Sequence, residues 1–153
     1  RSADRDANAT PGTTRALLAL LAPDLDDGGH PRDLSEGERL LLVLAVILAA
    51  RPGLLLLDEP TRGLDYPTKA RLVQVLGDLA AAGHGILLAT HDVELAAEVA
   101  TRVVVLADGE IVSDGDAATV LTASPMFAPQ VSKVLAPQPW MTVRQIQDAL
   151  GRS

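Results

Sequence analysis

Cysteine is absent from the 153 residues, and no charged segment followed by an apolar stretch marks a secretory leader. Neither disulfide bonds nor secretion is therefore indicated, and we expect a cytoplasmic protein. Lysine is also scarce, because the sequence contains only Lys69 and Lys133, and the net charge is −7. Such a chain has no basic face that could neutralise nucleic-acid phosphates, so we expect no nucleic-acid partner.

Long apolar runs are missing as well. The longest, at 40–50, has 11 residues, well short of the ~20 that a membrane-spanning helix needs. We interpret this run as a buried helix. Residues 1–12 are polar and lack periodicity, which indicates a loop or a frayed start.

Local signals predict several helices. Ser35, followed three residues later by Glu38, forms a capping box, in which each side chain accepts a hydrogen bond from the other residue's backbone N–H. Arg51 ends this helix, because a residue before proline disfavours the α region. Further helices are predicted over 15–22, 66–82, 93–100, 117–123 and 143–150, the last begun by a second capping box of Thr142 and Gln145.

Short apolar strands alternate with these helices. Residues 54–57 are apolar on both faces, as expected of a central parallel strand, and 86–89 and 103–106 follow as further strands. The order β-α-β-α-β predicts an α/β fold, with a mainly parallel sheet flanked by helices. Asp108-Gly109 predicts a hairpin that adds an antiparallel edge strand. His30 and His84 lie beside glycines or in turns, and we expect both to face solvent.

The predicted carboxyl edge of the sheet carries acidic residues. Asp58 and Glu59 follow strand 54–57 directly, and open α/β sheets bind ligands at this edge. Two carboxylates there suit a magnesium-phosphate site, and because successive strand residues point to opposite sides they need not compete for one ion. The simpler interpretation is that Asp58 and Glu59 only form a polar turn after the strand. His91 follows the next strand and would lie beside the same edge if the two strands are neighbours. The alternative is that His91 is an ordinary turn residue.

Four segments occur in a distinctive order: Leu34-Ser35-Glu36-Gly37-Glu38, the strand 54–57 with Asp58-Glu59-Pro60-Thr61, Gly63-Leu64-Asp65, and Thr90-His91. Together they resemble the signature motif, the Walker B strand with its glutamate, the D-loop and the switch histidine of ABC-type ATPases, over about residues 15–121. The resemblance implies a P-loop NTPase domain that binds ATP and Mg²⁺. The sequence has no Gly-x-x-x-x-Gly-Lys-Ser/Thr, the loop that cradles phosphates. We therefore expect a partial ABC ATPase domain that is inactive in isolation.

The resemblance also implies catalytic roles. Asp58 would hold magnesium through its water shell, Glu59 would be the general base that polarises the attacking water, and His91 would contact the γ-phosphate. These roles match what phosphoryl transfer requires, namely a neutralising metal, an oriented water and donors to the γ-phosphate.

The remaining implied roles concern a second subunit. Ser35, Gly37 and Glu38 belong to the signature, which in this family binds the γ-phosphate of a nucleotide held by the opposite subunit. Ser35 acting only as a helix cap is the alternative, and the two roles are compatible. Asp65 resembles the D-loop aspartate that communicates across the dimer, and its alternative is the N-cap of the following helix.

The segment 126–140 resembles the tail of energy-coupling-factor ATPases, including cobalt-type members. The resemblance implies three parts: 1–52, the end of a helical subdomain with the signature motif; 53–121, the C-terminal part of the ATPase core; and 122–153, a C-terminal helical extension. The implied function is ATP hydrolysis that drives uptake of a vitamin or metal ion. A head-to-tail dimer of ATPase subunits would bind a transmembrane transporter subunit at the inner face of the cell membrane. Alternatives are a non-catalytic folded fragment that supplies only the signature and dimerisation surface, and a soluble ABC ATPase of DNA repair or translation.

Overall fold

The computed structural model describes Thr14, Leu17, Leu18, residues 21–23 and residues 30–151. The chain folds as two compact units, Arg1–Ala89 and Thr90–Ser153. The helix predicted over 15–22 lies mostly outside the described residues, although Leu17, Leu18 and Leu21 are helical. The three-part division at residues 52 and 121 stays a prediction.

The first unit contains two helices and two strands after a short 3-10 turn at Pro31–Asp33. They are α1 (Glu36–Ala49), β1 (Leu54–Asp58), α2 (Tyr66–Ala81) and β2 (Gly85–Ala89). The two strands pair in parallel, with Asp58 opposite Ala89. Helix α2 packs on β2 and buries Leu72, Val75 and Leu76, three residues at the predicted helical spacing. This arrangement confirms the predicted β-α-β order and its parallel pairing.

Burial of β1 and β2 differs from the prediction. Leu55 is only 2% exposed, whereas its neighbour Leu56 is 68% exposed and Leu87 on β2 is 64% exposed. The expectation that β1 and β2 are buried on both faces is therefore wrong for the described residues. Within this unit, the described part of the chain covers only one face of the sheet. A parallel strand becomes buried on both faces only when a layer packs on each side.

The second unit contains a hairpin surrounded by short helices. Its elements are α3 (Val93–Val99), β3 (Arg102–Ala107), β4 (Glu110–Asp116), α4 (Ala117–Thr122), α5 (Gln130–Leu135) and α6 (Val143–Ala149). A small apolar core joins Ala97, Ala117, Leu121 and Met141. The predicted hairpin is confirmed, because β3 and β4 pair antiparallel and Asp108 and Gly109 have φ of 51° and 82°. Both turn residues of a type I′ hairpin require such positive values.

The strands form two sheets rather than one. In the described residues, β1 pairs with β2 and β3 pairs with β4. The α/β class holds, but a continuous mainly parallel sheet that includes β3 is not observed. Consecutive strands are neighbours only about two-thirds of the time, so the order of elements along the chain does not by itself specify the pairing.

The helix starts predicted from capping residues are found in both units. The capping boxes of Ser35 with Glu38 and of Thr142 with Gln145 are both present, as predicted. His84, however, does not simply face solvent, because it is half-buried and its Nδ1 lies 2.7 Å from the Pro52 carbonyl oxygen. In the described part of the chain, no helix has both the length and the apolar character needed to cross a membrane.

Candidate functional site

Asp58 and Glu59 lie where β1 ends. Asp58 is the last residue of the strand and is exposed. Glu59 is half-buried, and its N–H donates a hydrogen bond of 2.8 Å to the Ala89 carbonyl. Its φ of +45° is unusual for a residue other than glycine. Such backbone strain costs about 1–3 kcal/mol and concentrates at functional sites, so Glu59 is held in place by its surroundings rather than by its own preference.

The start of α1 holds Ser35, Gly37 and Glu38. The Ser35 hydroxyl donates to Glu38 Oε2 at 2.7 Å and accepts from the Glu38 N–H at 3.2 Å. The Ser35 N–H also donates to Glu38 Oε2, at 2.8 Å. Because the first N–H groups of a helix lack acceptors within the helix, they form an anion site strengthened by the helix dipole. The helix start has the polarity that a phosphate requires.

The loop between β1 and α2 carries Asp65. Two turns shape this loop, with the Arg62 N–H donating to the Glu59 carbonyl and the Leu64 N–H donating to the Thr61 carbonyl. Asp65 is the N-cap of α2, and its side chain accepts from the Thr68 N–H at 3.0 Å. The helix-capping interpretation of Asp65 is confirmed. Communication across a dimer stays a prediction.

Hydrogen bonding lowers the pKa of two carboxyls in this region. The pKa of Glu38 lies below its ordinary value of 4.5, chiefly because of the Ser35 side chain and then the Ser35 backbone. The pKa of Asp65 is also lowered, first by the Thr68 side chain and then by the Thr68 backbone. Both groups are therefore charged at neutral pH. Each lies at a helix start, where the dipole favours negative charge.

The start of α1 and the β1–α2 loop meet within the first unit. Gly37 is buried, and a Cβ added to it would come within 2.5 Å of the Thr68 methyl carbon. The Glu36 carboxylate lies against Gly63 so closely that a Cβ there would overlap it. Contact at these two points brings the start of α1 beside the loop that joins β1 to α2 and beside the first turn of α2.

A cleft of about 630 Å³ opens where these elements meet. It is lined by Glu36, Arg39, Leu40, Val43, Asp58, Glu59, Pro60, Arg62, Gly63 and Leu64. Arg39 and Arg62 line this cleft although neither belongs to the residues predicted for the site. One signal could have found Arg39, since residues 36, 39, 40 and 43 have the spacing of one helix face.

His91 belongs to the second unit. It lies between Thr90 and Asp92, and Asp92 caps α3 by accepting from the Leu95 N–H at 3.0 Å. Residue 91 follows the end of β2 closely in sequence. Its predicted position beside Asp58 and Glu59 stays a prediction.

Asp58 is the residue of this group best suited to magnesium. Its carboxylate is exposed at a strand end, and Mg²⁺ is commonly held by only one or two carboxylates together with phosphate oxygens and waters. Within the described residues, no group of three or more histidine and acidic side chains could hold a metal by itself. One exposed carboxylate is a donor that a magnesium ion held mainly by phosphate oxygens and waters can use.

Comparison with known proteins agrees with this geometry. A family model described as "AAA domain, putative AbiEii toxin, Type IV TA system" matches residues 15–97, more than half of the chain. A Streptomyces coelicolor protein named "Putative ABC transporter ATP-binding protein" is 66% identical over 149 residues, which cover 97% of this chain and 26% of that protein. The chain belongs to the ABC-type ATP-binding protein family. It spans about a quarter of the length of this relative.

Two further comparisons bear on this ABC-type chain. The cobalt import ATP-binding protein CbiO of Rhodobacter capsulatus is 42% identical over 118 residues, covering 76% of the chain and 41% of that protein. A bacterial ABC transporter cassette solved as a dimer superposes with a TM-score of 0.59 at 28% identity, covering 69% of the chain and 46% of the cassette. The fold is that of an ABC ATPase cassette, which confirms the predicted fold class.

Proposed function

We propose that this chain is part of a protein that hydrolyses ATP to drive transport across a membrane. The main observation in support is that three motif segments of an ABC-type ATPase line or adjoin one cleft of the first unit. The start of α1 contributes a helix N-terminus that can bind a phosphate, the end of β1 contributes two carboxylates, and the following loop contributes Asp65. Membership in the ABC-type family gives this arrangement its chemical interpretation.

The proposed hydrolysis divides its tasks between neighbouring residues. Asp58 holds the magnesium ion, which supplies neutralisation of charge on the phosphate oxygens. Glu59 orients the attacking water and accepts its proton. The left-handed backbone at Glu59 turns the chain as β1 ends. The side chains of Asp58 and Glu59 therefore need not point to opposite faces as successive strand residues do. His91 donates a hydrogen bond to the γ-phosphate.

The start of α1 acts on a nucleotide held by the opposite subunit. Ser35 already donates its hydroxyl hydrogen to Glu38, so phosphate binding exchanges that hydrogen bond for one to the phosphate. The Gly37 N–H is among the first donors of the helix, and the missing side chain of this glycine leaves room for Thr68 of α2. Glu38 then remains bound to the Ser35 N–H. Ser35 can therefore keep its capping hydrogen bond from the Glu38 N–H while its hydroxyl donates to the phosphate.

The assembly proposed here is a head-to-tail dimer on a transmembrane subunit, at the cytoplasmic face of the membrane. The dimer is supported by the likeness to a cassette solved as a dimer. Uptake of a metal ion or vitamin by an energy-coupling-factor type of transporter is the finer proposal. It is supported by the likeness to a cobalt import ATP-binding protein over 76% of the chain.

The second candidate is a non-catalytic module, and it applies to the 153 residues taken alone. The observation that favours it is the lack of Gly-x-x-x-x-Gly-Lys-Ser/Thr in the sequence, since that loop supplies the amides and the lysine that hold the phosphates. The two candidates differ in whether catalysis depends on Glu59 once a phosphate-binding loop is present in the same domain.

The test is Mg-ATP hydrolysis by the complete ATP-binding protein that contains this chain. We expect Glu59→Gln to slow turnover by roughly 10²–10⁴-fold, the usual weight of a general base, while ATP binding is retained. Asp58→Asn and His91→Ala should also reduce turnover. Glu110→Gln, an exposed acid on β4, is the matched control and should behave as wild type. Wild-type turnover in Glu59→Gln would refute the catalytic proposal.

A further inference from the structure

The contact between Glu36 and Gly63 joins two motifs that are far apart in sequence. Glu36 is the first residue of α1, and Gly63 lies in the loop that separates Glu59 from Asp65. Any side chain at position 63 would overlap the Glu36 carboxylate, so only glycine allows the approach. Gly63 also has a φ of +75°, a conformation that favours glycine independently.

A second contact lies beside the first. Gly37, the next residue of α1, packs against the Thr68 side chain in the first turn of α2. The start of α1 therefore touches the loop at Gly63 and the helix that follows the loop at Thr68. Asp65 lies between these two points and caps α2 through Thr68. The start of α1 thus contacts the chain on both sides of Asp65.

We propose that Glu36 is a positioning residue that holds the 59–65 loop in register with the start of α1. The inference rests on the proposed function, because it concerns the same site. Glu36 acts through its reach: its carboxylate oxygen lies against the Gly63 backbone and limits where the loop can move. Glu59 begins this loop, and the Glu59 carbonyl accepts a hydrogen bond from the Arg62 N–H next to Gly63. Placement of Gly63 therefore bears on the placement of Glu59.

Glu36 could instead serve only its own helix, since a negative charge in the first turn interacts favourably with the helix dipole. The two roles make opposite demands on the side chain. The dipole role requires charge and tolerates a shorter side chain, so Asp would replace Glu36 and Gln would not. The positioning role requires the length of the side chain and not its charge, so Gln would replace Glu36 and Asp would not.

The experiment compares Glu36→Asp and Glu36→Gln in the complete ATP-binding protein, with kcat, KM for Mg-ATP and Tm measured for each. We expect Glu36→Asp to lower kcat about tenfold with KM and Tm unchanged, because small misplacements of a catalytic group can cost up to about 10²-fold. Glu36→Gln should keep kcat within about threefold. Asp78→Asn removes an exposed charge elsewhere in the first unit and should leave all three values unchanged.

A double variant tests the route through Gly63. In Gly63→Ala, the flexible end of Glu36 must move away from the new methyl group, so the contact is already lost. Adding Glu36→Asp should then lower kcat no further, whereas independent effects would multiply. Wild-type kcat in Glu36→Asp, a loss in Glu36→Gln as large as in Glu36→Asp, or multiplying effects in the double variant would each overturn the inference. Unchanged turnover in Glu59→Gln would instead indicate that the proposed function fails.

Discussion

The loop after β1 and the turn between β3 and β4 share a feature but differ in its cause. Each contains a residue other than glycine with positive φ, Glu59 at +45° and Asp108 at +51°. Asp108 lies in a two-residue hairpin turn, where Asp followed by Gly is favoured because both positions need this conformation. Glu59 lies in no such turn, and glutamate has no local preference for it. The positive φ of Glu59 is therefore not set by a local turn preference, and the same conformation occurs at Arg51 after α1, where φ is +51°.

Two kinds of contact can be compared between the units. Apolar packing occurs in both, since Leu72 of α2 is fully buried in the first unit and Leu121, packed on the hairpin of the second, is 2% exposed. The start of α1 meets the 59–65 loop and the first turn of α2 through contacts of another kind, which involve two glycines, a threonine and a glutamate. Packing of the first kind contributes stability in proportion to buried apolar area. Contact of the second kind buries little apolar area and instead sets the position of the 59–65 loop relative to α1.

The largest effect is expected in the apolar core of the second unit. Leu121→Ala should lower the free energy of unfolding by about 2–5 kcal/mol, because it removes buried methyl groups and leaves a cavity. Leu150→Ala is the matched control, since Leu150 is 62% exposed, and it should change stability by no more than about 0.5 kcal/mol. Urea unfolding measures both. Equal losses in the two variants would mean that the described core does not stabilise this unit.

A smaller effect, of opposite sign, is expected at the strained residue. Glu59→Gly should raise the free energy of unfolding by about 0.5–1 kcal/mol, because the left-handed conformation costs other residues about 1–2 kcal/mol and the added flexibility of glycine offsets part of this gain. Asp108→Gly is the control and should gain less, since aspartate tolerates its turn position. Thermal unfolding of both variants sharpens the comparison. A loss of stability in Glu59→Gly would show that Glu59 is not strained.

The smallest effect concerns acidic pH. The pKa values of Glu38 and Asp65 are lowered in the folded protein, so their contribution to stability is complete above the ordinary values of 4.5 and 3.8. It is lost as the pH falls through the lower folded values, where the unfolded chain already binds protons. Because Asp65 is exposed and Glu38 is only half-buried, we expect a loss smaller than that in Leu121→Ala.

Two variants, one in each unit, distinguish the contributions of the two units to the loss of stability at low pH. In the second unit, the pKa of Asp114 is lowered by hydrogen bonds from Arg102, whose Nε and a terminal nitrogen lie 2.8 and 2.7 Å from the carboxylate oxygens. Ser35→Ala should flatten the loss of stability between pH 5 and pH 3 in the first unit, and Arg102→Gln should flatten it in the second. Unfolding curves at several pH values provide the test. A pH dependence unaffected by either variant would mean that other carboxyls govern it.

The sequence predicted much of the fold because many of its signals are local. Helix starts at Ser35 and Thr142 and the hairpin at Asp108 depend on residues two or three positions apart, and all three were confirmed. Helix α5 was missed, since its N-cap is Pro129 and no side chain caps it. The half-burial of His84 was also missed, because its partner Pro52 lies 32 residues away. For the candidate site, residue types and motif order were visible in the sequence, whereas contacts among them were not.

The family motifs, the capping residues and the type I′ turn could be predicted without coordinates, because each follows from the chemistry of adjacent residues. Three features became visible only in the folded chain: β3 pairs with β4 in a separate sheet, Leu56 and Leu87 are exposed, and the Glu36 carboxylate lies against Gly63. Strand pairing and burial depend on which layers are present to cover a face. The position of Glu36 depends on how a helix start and a distant loop pack together, and no pattern along the chain specifies that contact.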